Sequence, residues 1–320
     1  MDVLSLGIYV VDVLGRPIDQ FPEKGKLALF DELEIHAGGC ANNTAIALAR
    51  LGISAGAMGK VGTDAFGDLI LQTLIDNGVD TAGMQQDTSA RTSFTFVAVA
   101  SDGERTFYHY IGANGELCEV DLNWEVIKRA KILHIAGALV MPRFDGAPMA
   151  NVLREAKSLG ITTSLDTVYD ATGKWVETLE PCLPYVDMFM PSIVEAQHLT
   201  GISDAREITQ FLRNRYGIHT IVIKMGENGS YVSTPEMEHF ASAYSVNVVD
   251  ATGAGDAYVA GFLAGTLMGW DLKATAELAS ATGAACVTAI GTTAGIQNLE
   301  ETLKISRQKN SSQRSAVSGQ

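Results

Sequence analysis

A stretch of glycines with two aspartates near the carboxyl end of the chain has the residue types needed to bind an anion. Residues 250–265 read DATGAGDAYVAGFLAG, and the apolar residues after Asp256 recur at helical spacing, which predicts a helix that begins near Gly253 or Ala254. Glycines at a helix start let backbone amides approach an anion, and the positive end of the helix dipole favours negative charge there. The stretch is therefore predicted to bind phosphate.

Asp256 falls in the first turn of this predicted helix. A carboxylate at that position is held beside the bound anion and stays free to accept a proton, which is the chemistry of a general base. The alternative is purely structural: an acid that stabilises a helix start, next to small residues that allow close packing.

The elements that position this stretch follow from an alternation of short apolar runs and longer amphipathic segments. The runs and segments include LSLGIYVVDV, TAIALARLG, DLILQTLIDNG, KILHIAGALV, MANVLREAKSLG, ITTSLD, VDMFMPS and TIVIKMG. This order predicts a mostly parallel sheet covered by helices on both faces, with ligands at the carboxyl ends of the strands. The first run is predicted to be a single buried strand.

Two segments interrupt the alternation, residues 14–36 and 92–111. The second, TSFTFVAVASDGERTFYHYI, predicts two strands around the turn SDGE. Both are predicted to form a small β insertion beside an α/β core made of residues 1–13, 37–91 and 112–305. The polar, aperiodic residues 306–320 are predicted to be a flexible tail.

Composition excludes several classes of protein. A formal net charge of −14 argues against nucleic acid as the partner, and the N-terminal run is too short and too acidic for a membrane span. The four cysteines are scattered without a CxxC pair, and the histidines form no close metal-ligand pair. These features predict a cytoplasmic globular protein with reduced thiols.

Two motifs together resemble a known family. DATGAGDAYVAGF is similar to the C-terminal signature of the ribokinase-like (PfkB) carbohydrate kinases, and AGGCANNTAIALARLG, residues 37–52, is similar to their N-terminal signature. The similarity extends to about residue 300. It implies a ribokinase-like three-layer α/β sandwich with a small β lid. The implied reaction is ATP-dependent phosphorylation of a hydroxyl on a small sugar or sugar acid, such as fructose, ribose or 2-keto-3-deoxygluconate.

The resemblance also implies roles for individual residues. Asp256 corresponds to the general base, beside an anion hole at Gly253 formed by the amides of Ala254, Gly255 and Asp256. The residues implied to hold sugar hydroxyls are Asp12, Gly38, Gly39 and Asn43. Structural alternatives are a strand end for Asp12, an ordinary turn for the glycine pair, and packing or helix capping for Asn43.

One departure from the family concerns the metal. In PSIVEA, residues 191–196, Ser192 stands where the family's NxxE motif has asparagine, whereas Glu195 is retained. The resemblance implies Mg²⁺ near Glu195, although a solvated helix glutamate is the alternative. Asp250 and Thr252 match positions whose oxygens surround a monovalent cation in the family, which implies K⁺.

KMGENG, residues 224–229, resembles the family's nucleotide-contacting loop, with Lys224 where threonine is more usual. Lys224 is predicted either to reach a phosphate or to be a surface lysine at a strand end. Gly226 and Gly229 mark a tight turn in both cases. Residues 281–295, ATGAACVTAIGTTAG, resemble the helix and loop that flank adenine in the family.

The acceptor is less well defined by the sequence. Polar candidates to face it on the lid and its flanks are Arg91, Arg105, His109 and Asn114, and the alternative for each is a solvated strand residue. Asp166 follows the strand ITTSL as a ligand-side carboxylate or a helix cap. A nucleoside kinase is the nearest alternative, because Phe94, Phe96, Phe107, Tyr108 and Tyr110 would offer a stacking platform. A non-catalytic sugar sensor is favoured only by Ser192. Relatives pair through their lids, which implies a homodimer.

Overall fold

The computed structural model describes residues 1–307 of the 320-residue chain. The strands are β1 (Val3–Gly7), β2 (Val10–Arg16), β3 (Glu32–Gly38), β4 (Ala55–Gly62), β5 (Asp80–Asp87), β6 (Phe94–Val99), β7 (Arg105–Tyr110), β8 (Ile132–Ala138), β9 (Thr162–Thr167), β10 (Met188–Phe189), β11 (Thr220–Lys224), β12 (Ser230–Ser233) and β13 (Glu238–Ala241). The helices are α1 (Cys40–Arg50), α2 (Ala65–Asp76), α3 (Trp124–Ile127), α4 (Ala147–Ser158), α5 (Trp175–Leu179), α6 (Ile193–Thr200), α7 (Ala205–Tyr216), α8 (Ala254–Leu267) and α9 (Leu272–Cys286).

The larger sheet has nine strands in the order β13-β12-β11-β10-β9-β8-β1-β4-β5. Every neighbouring pair is parallel except β11–β12 and β12–β13. Leu4 and Leu6 of β1 pack into a core shared with α4 and α7, whereas Val3 packs into a second core shared with α8 and α9. Continuously apolar strands fit a sheet that is covered on both faces. The predicted three-layer α/β sandwich is confirmed.

A smaller sheet has the strand order β3-β2-β6-β7. It contains the two predicted strands around the turn SDGE, residues 94–99 and 105–110. It also includes residues 10–13 and 37–38, which were predicted to belong to the α/β core. Residues 17–31 connect β2 to β3 without helix or strand.

The prediction of a single N-terminal strand was wrong, since the run forms β1 in the large sheet and β2 in the small one. The chain changes sheet at Tyr9, whose backbone is bonded to a side chain instead of a neighbouring strand. Tyr9 N donates to Asn114 Oδ1 (3.1 Å), and Asn114 Nδ2 donates to Tyr9 O (3.0 Å). Asn114, a candidate sugar ligand, is therefore a buried structural residue that fixes this junction.

The helix that follows α9 along the chain spans residues 299–307, so residues 306 and 307 of the predicted tail are helical. The rest of that prediction, residues 308–320, lies outside the described residues. Within residues 1–307, no helix is long and apolar enough to cross a membrane. The cytoplasmic location stays a prediction.

Candidate active site

Helix α8 begins at Ala254, as predicted, and Gly253 precedes it in a left-handed conformation (φ 80°). A Cβ atom at Gly253 would lie 2.4 Å from the carbonyl oxygen of Thr292, so only glycine fits this position. No side chain caps the helix start. Three amides were predicted to bind the anion, and one of them, Ala254 N, already donates to Ala251 O at 3.3 Å. The amides of Gly255 and Asp256 are therefore better placed to bind an anion.

The Asp256 carboxylate is held by groups at the start of α1. Asn43 Nδ2 donates to Asp256 Oδ2 at 2.8 Å, and the nearby Cys40 thiol helps to lower the pKa of this carboxylate. Burial raises the pKa of Asp256 above its ordinary value, and the bond from Asn43 and the charge of Lys224 offset part of that rise. The two signature motifs therefore meet at one carboxylate, which is positioned and able to take up a proton.

The glycine pair brings Asp12 close to this helix start. A Cβ atom at Gly38 would lie 2.4 Å from Asp12 Oδ2, and one at Gly39 (φ 92°) would lie 2.5 Å from Ile8 O. Gly39 is therefore required by its backbone conformation and its approach to another backbone, whereas a side chain at Gly38 would displace the Asp12 carboxylate. Burial raises the pKa of Asp12 to about 6, and Asp250 and Asp256 add to this rise, whereas Thr95 and His36 lower it.

Polar side chains form a row across the small sheet, which we call the acceptor row: His36, Asp12, Thr95 and His109. His36 lies opposite Asp12, Asp12 opposite Thr95, and Thr95 opposite His109. Directly paired residues share one face of a sheet. Thr95 Oγ1 and His109 Nδ1 are 3.1 Å apart, and burial lowers the pKa of His109. Two residues of this row, Asp12 and His36, line a cavity of about 40 Å³ together with Phe107 and Thr292, whereas Thr95 and His109 are not part of its lining.

Arg105 closes this cavity from the small sheet. Its NH2 donates to Asp250 Oδ1 (3.0 Å) and its NH1 to Thr252 Oγ1 (2.7 Å). Asp250 also accepts bonds from Thr252 and from the amide of Gly291. These oxygens, predicted to bind K⁺, already have a guanidinium as partner, and like charges repel. They do not fit a potassium ion while Arg105 stays in place.

The second cavity, of about 660 Å³, is lined by Ala254 and Gly255 at the start of α8. Its lining includes Lys224, Gly226, Gly229, Tyr244, Gly255, Tyr258, Ser280 and Gly283. The KMGENG turn and the small residues of α9 therefore line one space, which has the size of a ligand pocket. We call it the nucleotide cavity.

Lys224 is not a surface lysine, since its side chain is only 13% exposed. Its Nζ lies 2.5 Å from Asp166 Oδ2. The Asp166 carboxylate pairs with Lys224 and caps no helix. The alternatives of a surface lysine for Lys224 and a helix cap for Asp166 were therefore wrong. Burial raises the pKa of Asp166 to about 7, although Lys224 opposes the rise.

Glu195 lies at the edge of the same region and is not free in solvent. Its Oε2 accepts bonds from Ser192 N (2.7 Å) and Thr167 Oγ1 (3.0 Å), while Ser192 Oγ accepts from Glu195 N (3.3 Å). Ser192 is thus the N-cap of α6 in a capping box. Among residues 1–307, no cluster of three or more histidine, cysteine or acidic side chains forms a complete metal site. A single oriented carboxylate fits Mg²⁺, which is held mainly by phosphates and waters.

Residues 2–299 match the model of the pfkB family carbohydrate kinases. The matched residues include the lining of both cavities and the two motifs that meet at Asp256. The chain belongs to this family. This carbohydrate kinase is 30% identical over 288 residues to probable fructokinase-5 of Arabidopsis thaliana, which covers 85% of this chain and 88% of that protein.

Two solved structures share the fold of this carbohydrate kinase. A ribokinase of Arabidopsis thaliana complexed with ribose and ATP superposes with a TM-score of 0.83 at 23% identity, over 95% of this chain and 98% of that one. A putative ribokinase II from E. coli in complex with ATP and Mg²⁺ gives 0.82 at 23% identity, over 96% and 99%. At these identities the likeness establishes the ribokinase fold.

Sequence reasoning missed several residues of the kinase site. Cys40 follows the glycine pair directly, and this adjacency is the one signal that could have indicated it. His36 and Thr95 join the acceptor row through strand register, which no local pattern reveals. Arg91, a candidate sugar ligand, lies instead at an open groove with Phe66 and Tyr110.

Proposed function

We propose that this kinase transfers the terminal phosphoryl group of ATP to a hydroxyl of a small sugar or sugar acid, with Asp256 as general base. The observation that carries the proposal is the position of Asp256. Its carboxylate is bonded to Asn43 beside the glycine pair, its charge acts on Asp12, and its neighbour Gly255 lines the nucleotide cavity. A base at this point lies between the proposed acceptor residues and the nucleotide cavity.

The proposed step is an in-line displacement at the γ-phosphorus. The acceptor oxygen forms a bond to phosphorus as its proton passes to Asp256, and the bond to the bridging oxygen of ATP breaks, releasing ADP. The amides of Gly255 and Asp256, with Ala254, would stabilise the charge on the transferred group. Glu195 would hold Mg²⁺, which offsets phosphate charge when bound.

Asp12, Gly38, Gly39, Asn43 and His109 are proposed to surround the acceptor. The nearest alternative, a nucleoside kinase, needs an aromatic platform facing the cleft. Among the five aromatic residues of the lid only Phe107 lines the acceptor cavity. Phe96 and Tyr108 pair on the opposite face, and Phe94 packs against Phe66. This placement favours a sugar, and the relative named fructokinase favours a ketose such as fructose among the candidates.

The cavity that Asp12 and His36 line is about 40 Å³, well below the roughly 300–1,000 Å³ of typical small-molecule sites. A sugar therefore requires the small sheet to move away from the Asp250 loop before it closes again. Residues 14–36 and 92–111, together with residues 10–13 and 37–38, are proposed to act as this lid, which excludes water from the reaction.

The test is a coupled assay for ADP release with purified protein, ATP and Mg²⁺. The acceptors are fructose, ribose, 2-keto-3-deoxygluconate and adenosine, each compared with a reaction lacking acceptor. We expect turnover with at least one sugar and none with adenosine. Turnover with adenosine alone would establish the nucleoside kinase. If no acceptor gives ADP release although calorimetry detects sugar binding, the non-catalytic sensor is favoured.

A further inference from the structure

Lys224 is anchored where three strands of the large sheet end. Its backbone N donates to Pro191 O at 3.0 Å, and it forms a single parallel bridge to Ser192. The strand between β11 and β9 is β10, which has only two residues. The long side chain of Lys224 therefore passes the end of β10 and reaches Asp166 on β9, where Nζ and Oδ2 are 2.5 Å apart.

This ammonium group also lies beside the start of α8. The position of a Cβ atom on Gly255 is 3.5 Å from Lys224 Nζ, and Lys224 lines the nucleotide cavity together with Gly255. An anion bound by the Gly255 amide would therefore lie close to the ammonium. Lys224 is the single lysine or arginine in the described lining of that cavity.

The surrounding charges keep Lys224 protonated. Burial alone would lower its pKa, but attraction to Asp166 and Glu195, with a smaller contribution from Asp256, raises the pKa above its ordinary value. Asp166 is in direct contact with the ammonium, whereas Glu195 and Asp256 act on it through their charge. The ammonium is therefore held in its charged form beside the start of α8.

We propose that Lys224 is a catalytic residue whose ammonium binds the γ-phosphoryl group of ATP and stays with it during transfer, and that Asp166 positions this ammonium. The proposal rests on the proposed transfer at Asp256. The acceptor oxygen bonds to the γ-phosphorus and its proton goes to Asp256. The bond from phosphorus to the bridging oxygen breaks with its electron pair on ADP, and Lys224 keeps its own proton throughout.

This role predicts discrimination between ATP and ADP, because ADP lacks the group that Lys224 contacts. In Lys224→Met, affinity for the imido analogue of ATP should fall at least about tenfold, whereas affinity for ADP should stay within about threefold. Calorimetry with Mg²⁺ and without sugar measures both. The kcat should fall by about a hundred to a thousandfold, the typical cost of removing one preorganised charge-stabilising group.

A second variant separates catalysis from folding, because Lys224→Met leaves Asp166 buried without its partner. Lys224→Met combined with Asp166→Asn removes that unpaired carboxyl and should recover the melting temperature. Its kcat and its affinity for the ATP analogue should stay low. Lys60→Met is the matched control, since Lys60 is a buried lysine paired with Asp121 (2.7 Å) outside the lining of the nucleotide cavity.

Lys60→Met should lower the melting temperature and leave the ratio of ATP-analogue to ADP affinity unchanged. Equal weakening of both nucleotides in Lys224→Met, or a double variant that recovers kcat together with stability, would overturn the proposal. The calorimetry needs no sugar, so the role of Lys224 is judged even if the wild-type protein transfers phosphate to none of the acceptors. Failure of the wild-type protein to bind either nucleotide would overturn both proposals.

Discussion

The guanidinium of Arg105, on the small sheet, is bonded to Asp250 (3.0 Å) and to Thr252 (2.7 Å) on the loop that leads into α8. The two acids of the DATGAGD motif thus differ in their surroundings. Asp250 is held by Arg105 and backbone amides, which lower its pKa against the effect of burial, whereas the pKa of Asp256 is raised. Arg105 joins the proposed lid to the core at the edge of the acceptor cavity.

This contact predicts how the enzyme responds to monovalent cations. The wild-type enzyme should turn over equally fast in potassium and sodium chloride at one ionic strength, because a guanidinium already occupies the Asp250 and Thr252 oxygens. Arg105→Gln removes that charge, so its rate should become faster in potassium than in sodium. Its KM for the acceptor should also rise, since the lid loses its bond to the core.

Arg143→Gln is the matched control, because Arg143 forms an exposed pair with Glu116 away from both cavities. It should change neither the cation response nor the acceptor KM. A wild-type enzyme that runs faster in potassium would show that a cation binds to other oxygens, and would refute this prediction.

Asp12 predicts a pH dependence of acceptor binding. Burial raises its pKa to about 6, with Asp250 and Asp256 contributing, so the carboxylate is ionised above pH 6 and protonated below it. An ionised carboxylate accepts sugar hydroxyls with both oxygens. Acceptor affinity, measured by calorimetry without nucleotide, should therefore fall as the pH drops through about 6.

Asp12→Asn should remove this pH dependence. It should also lower acceptor affinity about ten to a hundredfold at pH 8, the cost of a lost hydrogen bond to a charged group. Nucleotide affinity should stay the same. If acceptor affinity still falls through about pH 6 in Asp12→Asn, a group other than Asp12 causes the fall and the assignment to Asp12 is incorrect.

The face of the small sheet opposite the acceptor row predicts a homodimer. Ile35, Val13, Phe96 and Tyr108 pair directly across its four strands. Ile35 is 46% exposed and Tyr108 is 56% exposed, with Leu33 and Tyr110 beside them also exposed. An exposed apolar patch of this kind marks an interaction surface.

Light scattering at micromolar protein should give twice the chain mass. Ile35→Glu places a charge in the centre of the patch and should yield monomers with an unchanged melting profile of the core. Val120→Glu is the control, because Val120 is 91% exposed on a turn outside the small sheet. A wild-type monomer, or a dimer that survives Ile35→Glu, would contradict an interface at this patch.

The sequence predicted the large sheet because alternating apolar and amphipathic segments are local signals. It also predicted the start of α8 within one residue, since glycine and the apolar spacing define it. The acceptor row escaped prediction because it depends on the register of β2, β3, β6 and β7, which turn lengths and side-chain packing set. The ion pair of Lys224 with Asp166 joins residues 58 positions apart and depends on the shortness of β10.

Asp256→Asn tests the centre of the proposed mechanism. Asparagine keeps the size of the side chain and can still accept the bond from Asn43 through its carbonyl oxygen, but it cannot take up the acceptor proton. Sugar and nucleotide should therefore bind with affinities close to wild type, while kcat falls by about a hundred to ten thousandfold, the range for a lost general base.

A purely structural Asp256 predicts a different result from the same preparation. Loss of a charge at a helix start costs up to about 1 kcal/mol of stability and would lower the melting temperature, with little change in kcat per folded molecule. Asp68→Asn provides the comparison, since Asp68 is an acid in the first turn of α2. It should reproduce any dipole effect on stability and leave kcat unchanged. If Asp256→Asn turns over within about threefold of the wild-type rate, the carboxylate takes no proton in the rate-limiting step and the proposed mechanism fails.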